Sequence, residues 1–425
     1  MTDSTSQNIK DLQDFFDDYP DLPAPTQSAS ANLQMFPKVS TRKNGRPIIT
    51  FGVELEMTIA WIYPKDTDPE PEDPRKVKGI VVETVDSSLI RVQVYKHIMN
   101  TLRKAGIRCL SDWGFETVLG KKETYWLVKD DGSIYPPTRP YDQRDDYQFT
   151  GVEITSPPFY SCEDARAQAA VVCDILTSNY RVSCPESTGV HVHVGLGLRN
   201  GVEKAWNPSV LANLMAVLWV FEDRLDFIHP QRRRTGGYSN LYCPSMREAS
   251  VLGESLKDNP NWKQEGLESI LELKDEKDCM AIRRLLSFKG GINRVNYNIR
   301  NLADNVKRGR TIEYRQHEGT LHGKRVSSWV KVCAGLVEFA LTVDQDKVED
   351  FLRRRVDDAP EDYTVIDLLI AIGRSDVAEF YAYRFRDNDP TQTPPTPSPL
   401  DTPPKDGSPP GEVYSFYRRI LGIHN

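Results

Sequence analysis

Four short stretches of this chain alternate polar and apolar residues with period two, and their polar positions hold side chains that do acid-base or metal chemistry. Gly189-Val190-His191-Val192-His193-Val194-Gly195 sets two imidazoles among β-branched residues, and Phe51-Gly52-Val53-Glu54-Leu55-Glu56-Met57 does the same with two carboxylates. Gly151-Val152-Glu153-Ile154-Thr155 carries one, ended by Pro157-Pro158, and Thr311-Ile312-Glu313-Tyr314-Arg315-Gln316-His317 aligns Glu313, Arg315 and His317. Side chains two apart on a strand point the same way, roughly 7 Å apart, so each stretch predicts a strand with one core face and one polar face. A His-x-His pair alone serves equally as hydrogen-bonded core or as part of a metal site. Four such strands together favour one shared polar face.

Composition narrows the class. At 425 residues, 39% of them hydrophobic, the chain can bury a sizeable core. A net charge of −7 argues against a general nucleic-acid partner, although it leaves room for a local basic pocket. Six aspartates against one lysine in the first thirty residues carry most of that charge, so the folded body is nearly neutral. Seven cysteines, with no C-x-x-C pair, fit free thiols in a reducing compartment, and a cytoplasmic location is expected. The N-terminus lacks the order of a signal peptide, and no apolar run reaches the roughly eighteen residues of a membrane span, so no membrane partner is expected.

Along the chain, residues 1–45 read as a disordered acidic arm and 46–386 as the folded body, of which 200–290 is largely helical. A proline-rich linker is expected over 387–412 and a short C-terminal segment over 413–425. The first strand is expected from Ile48 to Ala60, followed by a charged, proline-rich insertion from Pro64 to Lys76 and a helix from Ser87 to Ala105. Asp130-Asp131-Gly132 has the chemistry of a hairpin turn, with Asp131 at its tip. Ser161 is the expected cap of a helix through Leu176, and Asn207-Pro208 opens a helix to about Ile228 that is apolar all round. Beyond it, Arg232-Arg233-Arg234 on a glycine-containing loop is either a solvated charge run or an anion site. Further helices are expected near 324–343, 364–372 and 375–384.

The motifs, taken in order, resemble the amidoligase family in its fungal form. They are Gly52-Val-Glu54-Leu-Glu56, Trp126 with Asp131-Gly132-Ser133, Glu153-Ile-Thr-Ser156-Pro157, Gly189-Val-His191-Val-His193-Val-Gly195 and Thr311-Ile-Glu313-Tyr-Arg315-Gln-His317-Glu-Gly319-Thr320. That family stands with glutamine synthetase and the γ-glutamylcysteine ligases among carboxylate-amine ligases. The resemblance covers roughly residues 48–340. It implies an α+β, glutamine synthetase-like catalytic fold, with helices on the outer face of a curved antiparallel sheet and ATP and two Mg²⁺ ions on the other face.

Carried over residue by residue, it implies one metal held by Glu54, His191 and Glu313 and a second by Glu56 and Glu153. No second acidic partner for Glu153 stands out. His193 and Arg315 would face the nucleotide phosphates, as would Arg232, Arg233 and Arg234 if they bind an anion. Asp131, Arg315 and Arg294 are the catalytic candidates. A carboxylate is a poor electrophile, so such a ligase phosphorylates it with ATP and lets an amine attack the acyl phosphate. Hard carboxylate oxygens with few imidazoles suit Mg²⁺ rather than zinc, and arginines suit the charge of a transferred phosphoryl group. The partners would be a small-molecule or peptide carboxylate and an amine. Rival readings are a metal-dependent hydrolase and a degenerate nucleotide-binding scaffold of the same fold, whereas a Cys184-His191 hydrolase has only proximity in sequence to recommend it.

Overall fold

The stretch around Glu54 and Glu56 forms the long central strand β1 (Thr50–Trp61), whose alternate residues Val53, Leu55 and Met57 are fully buried. The computed structural model describes residues 49–75, 80, 87–111, 124–135, 147–199, 202–234, 243–290, 294–302 and 310–387. The expected acidic arm, residues 388–412 of the linker and the C-terminal segment lie outside the described residues, as do Gly236 to Tyr238 of the arginine loop.

After β1 come β2 (Cys109–Ser111), β3 (Trp126–Lys129), β4 (Gln148–Thr155), β5 (Phe159–Tyr160), β6 (Val182–Ser183), β7 (Gly189–Gly195), β8 (Tyr297–Asn298) and β9 (Ile312–Glu318). They make one open nine-stranded sheet in the order β8-β9-β7-β1-β4-β3-β2, with β5 and β6 pairing to β1. Every pairing is antiparallel except β2 with β3. The architecture is therefore α+β with a mostly antiparallel sheet.

Four long helices build the apolar layer: α1 (Ser87–Lys104), α2 (Glu163–Asn179), α3 (Pro208–Asp226) and α4 (Gly323–Thr342). α4 packs on α2, α3, β7 and β1, and its stripe of Val326, Trp329, Val330, Cys333, Leu336 and Val337 has the spacing of a helix with one buried face. α3 is buried on all sides from Leu211 to Phe221 because it lies inside this layer, and it starts as expected, with the Asn207 side chain accepting the Ser209 N–H at 2.9 Å and Pro208 in the first turn. One continuous core joins these helices to Val53, Leu55, Met57, Val152, Ile154, Val190, Val192 and Val194. No helix of the described residues is long and apolar enough to cross a membrane.

Three local expectations change. α2 begins after Cys162, which makes no side-chain cap bond, while the Ser161 N–H pairs with the Ile49 carbonyl and so belongs to the sheet edge. The turn at Asp130 to Gly132 is not a tight hairpin, because the strand that returns antiparallel to β3 is β4, which starts only at Gln148. A helix at Gln345–Arg355 was not foreseen, although Asp344, whose side chain accepts the Lys347 N–H, is a good cap for it. The insertion is irregular where described, as its prolines predict. Arg181 pins it by donating to Asp68 and Asp73, at 3.1 and 3.0 Å.

Candidate active site

Register brings the polar positions into a row. On β1, Glu54 lies opposite His191 of β7, and Glu56 lies opposite Glu153 of β4. One strand further out on each side, Glu313 of β9 lies opposite His193, and Lys129 of β3 opposite Glu153. Period-two alternation then places all these side chains on the face away from the helices. Most are buried even there, with Glu56 and Glu153 each 3% exposed, Glu313 1% and His191 6%.

Two groups result, each with ligand atoms within 4.8 Å of one another: Glu54, His191 and Glu313, and Glu56, Asp131 and Glu153. They adjoin at His191, whose Nδ1 lies 3.1 Å from Glu54, 3.4 Å from Glu56 and 3.8 Å from Glu313. His193 Nε2 is 3.3 Å from the other Glu54 oxygen, and its Nδ1 is 3.1 Å from the Thr311 hydroxyl. Glu313 is gripped by Arg315 and accepts from the Asn298 amide at 2.6 Å, with Arg294, half exposed, 3.7 Å away. In the second group the Gly189 N–H donates to Glu56 at 2.7 Å. Asp131 is fixed by the backbone and hydroxyl of Ser133, at 2.7 and 2.6 Å. Lys129 sits on Glu153 at 2.8 Å, and the Thr155 hydroxyl donates to the same oxygen at 3.1 Å.

The groups differ electrically. Burial would raise Glu54, but the charges of His193 and the hydrogen bonds of both histidines hold it well below the usual carboxylate range. Burial would likewise raise Glu313, and His193 and Arg315 outweigh it. In the second group burial wins: Glu56 is pushed up, and Glu153 is pushed up to about 7 by burial and by the Glu54 charge, against the pull of Lys129. Asp131 stays low, since burial is outweighed by its two bonds from Ser133. Burial would lower both histidines, yet Glu56 and Glu54 hold His191 up and Glu54 holds His193 up.

The structure thus brings together Glu54, Glu56, Glu153, His191, His193, Glu313, Arg315 and Asp131, with Arg294 at the edge. The acidic partner for Glu153 that the sequence did not show is Asp131, delivered by the turn that follows β3. One alignment fails. His317 is not in the row, because a bulge between Tyr314 and His317 inserts one residue against β7 and so turns His317 to the helix side, where it packs on Trp329. Of the three adjacent arginines, Arg232 donates to Glu318 at 2.9 Å, Arg233 to the Thr188 carbonyl, and Arg234 to the His229 carbonyl at 2.8 Å. Burial pushes the Cys184 thiol up to about 12, which lends no support to a thiolate there.

Three contributors carried no role in the sequence reading. Lys129 precedes Asp131 by two positions, a spacing that could have flagged it. Asn298 is found only through the β8-β9 pairing. Gly189 needs its missing side chain, because a Cβ there would stand 3.0 Å from His191 Nε2 and 3.2 Å from the His317 carbonyl.

Residues 47–337 match the model of the family described as "putative amidoligase enzyme". That match covers well over half of the chain, which therefore belongs to this family, and membership suggests an enzyme of the ligase type. No curated protein matches the chain significantly.

Proposed function

We propose that the chain is an ATP-dependent carboxylate-amine ligase working through an acyl phosphate, with a glutamine synthetase-like arrangement of the polar sheet face. The observation that carries this reading is the adjacency of two carboxylate-rich groups on one sheet face, with a guanidinium beside one of them. Five carboxylates against one ligating imidazole are the donor set of a hard, oxygen-seeking cation such as Mg²⁺, and the crowding that raises Glu56 and Glu153 is what a cation relieves. When bound, Mg²⁺ would neutralise phosphate charge and orient the nucleotide.

The chain's own residues supply the rest. Glu54, His191 and Glu313 would hold one ion and Glu56, Asp131 and Glu153 the other. His191 would offer Nδ1, which lies within 3.8 Å of Glu54, Glu56 and Glu313, to the first ion. Arg315, with Arg294 beside it, would contact the transferred phosphoryl group, and His193 the nucleotide phosphates. Asp131 is already fixed as an anion by Ser133, so it acts here as a ligand.

Calorimetry with MgATP tests the reading. Wild type should bind, and a Glu54→Ala, Glu56→Ala variant that remains folded should lose binding altogether. Equal binding by both proteins removes the site. The reaction itself is tested by adding pairs of carboxylates and amines and looking for release of ADP and phosphate, which a metal-dependent hydrolase would not produce from ATP in proportion to amide.

A further inference from the structure

The two groups share a sheet face but not a charge balance. In the first, Arg315 grips Glu313, but the partners of Glu54 are imidazoles, His191 at 3.1 Å and His193 at 3.3 Å, and a ring nitrogen can itself become a ligand. In the second, where His191 reaches Glu56 at 3.4 Å, the partner of Glu153 is Lys129, and an ammonium has no lone pair to offer a metal. Its position is set by the sheet, since Lys129 lies directly opposite Glu153 in the β3-β4 register and its side chain is only 28% exposed. The Glu153 oxygen it touches also accepts from Thr155, and Asp131 Oδ1 accepts twice from Ser133, so two of the six oxygens in this group are each already occupied by two donors.

We propose that Lys129 is the resident counter-cation of the second group and determines how tightly Glu56, Asp131 and Glu153 can hold a divalent ion. An ion entering there must take Glu153 from the ammonium or share it across short-range repulsion. The first group then fills first, and the second fills only at higher cation concentration or when nucleotide phosphates add negative charge. Lys129 is a positioning and affinity-setting residue, not a ligand. The inference rests on the Mg²⁺ reading of the site and adds an order of filling to it.

Mn²⁺ alone is the probe, titrated into the full chain without nucleotide and followed by electron paramagnetic resonance at about pH 8.5, well above the carboxylate range. Wild type should show a tight class that is lost in Glu54→Gln and a weak class that is lost in Asp131→Asn. Lys129→Met should tighten the weak class by about tenfold or more, because a unit charge in contact with a ligand is removed. The tight class should not move, and Lys129→Arg should keep the weak class weak. Circular dichroism and melting checks that each variant is folded, and Lys129→Gln replaces the Met variant if that one is not. Two classes of equal strength in wild type, or a weak class unmoved or weakened by removing the lysine charge, overturn this inference and leave the ligase reading standing. If no Mn²⁺ binding depends on Glu54, both fall.

Discussion

Two pairs of histidines sit on opposite faces of the same sheet, and their surroundings push them in opposite directions. His191 and His193 face Glu54, Glu56 and Glu313, and those carboxylates hold both imidazoles above the ordinary histidine value although burial works against it. His229 and His317 lie on the helix side, their rings 5.6 Å apart and nearly perpendicular, with Trp329 4.8 Å from the first and 5.6 Å from the second. Burial dominates there: His317 falls to about 4, and His229 falls well below its ordinary value, helped by neighbouring arginines. The residue type is the same, but carboxylates hold one pair toward its charged form while burial keeps the other neutral. What makes a histidine chemical here is the acid opposite it in the register.

The comparison is broken most directly by truncating each pair. His317→Ala removes a ring packed against both Trp329 and His229 and leaves a cavity beside them. It should cost about 3 to 4 kcal/mol in urea unfolding, the range of buried aromatic truncations. Its Mn²⁺ affinity should stay as in wild type. A stable His317→Ala protein that no longer binds Mn²⁺ would mean that the bulge assignment is wrong and that both pairs serve one site.

The converse effect is smaller. His191→Ala should weaken the tight Mn²⁺ class by tenfold to a hundredfold, about 1.4 to 2.7 kcal/mol. Its loss of stability should be less than that of His317→Ala, because Val190, Val192 and Val194 supply the strand's buried face and a partly open polar face can admit water. If His191→Ala instead melts far below wild type and keeps its Mn²⁺ affinity, the imidazole is core and the first metal group has no nitrogen ligand.

How much of this was legible in the sequence depends on which signal carried it. Alternation placed Glu54, Glu56, Glu153, His191, His193, Glu313 and Arg315 on the right strands and the right face, because a period of two survives any tertiary context that buries one side. The buried helix after Asn207 was equally plain, since its cap, proline and unbroken apolar run agree. The same alternation misled at His317, because one inserted residue reverses every later side chain and nothing in Tyr314 to Gln316 announces it. Asp131 was visible as a turn residue, but its pairing with Glu153 depends on β4 returning beside β3 after a long connection, which local chemistry cannot foretell. The partners of the three arginines were hidden for a similar reason. Glu318 lies 86 residues from Arg232 and Thr188 45 from Arg233, and only the His229 carbonyl, five residues from Arg234, was close at hand.

The smallest expected effect is also the sharpest test of opposite signs. His317 titrates near 4 in the folded chain and near 6.5 when unfolded, so between those values the unfolded chain takes a proton that the folded chain refuses. Its contribution to stability is therefore fully present above 6.5 and is lost as pH falls toward 4, by about 1.4 kcal/mol for each pH unit. His191 and His193 have raised folded values, so their contribution is present below 6.5 and fades as pH rises through those values. A wild-type curve sums the two pairs, and its own slope identifies neither. The informative quantity is the difference between wild type and His317→Phe, measured without metal from pH 7 to 5. Phe keeps the ring volume but not the basic nitrogen, so wild type should lose more stability than the variant on acidification. Parallel curves would mean that His317 accepts its proton at no cost, which a ring buried against Trp329 cannot do, and the division of the four histidines into a chemical pair and a packing pair would fail.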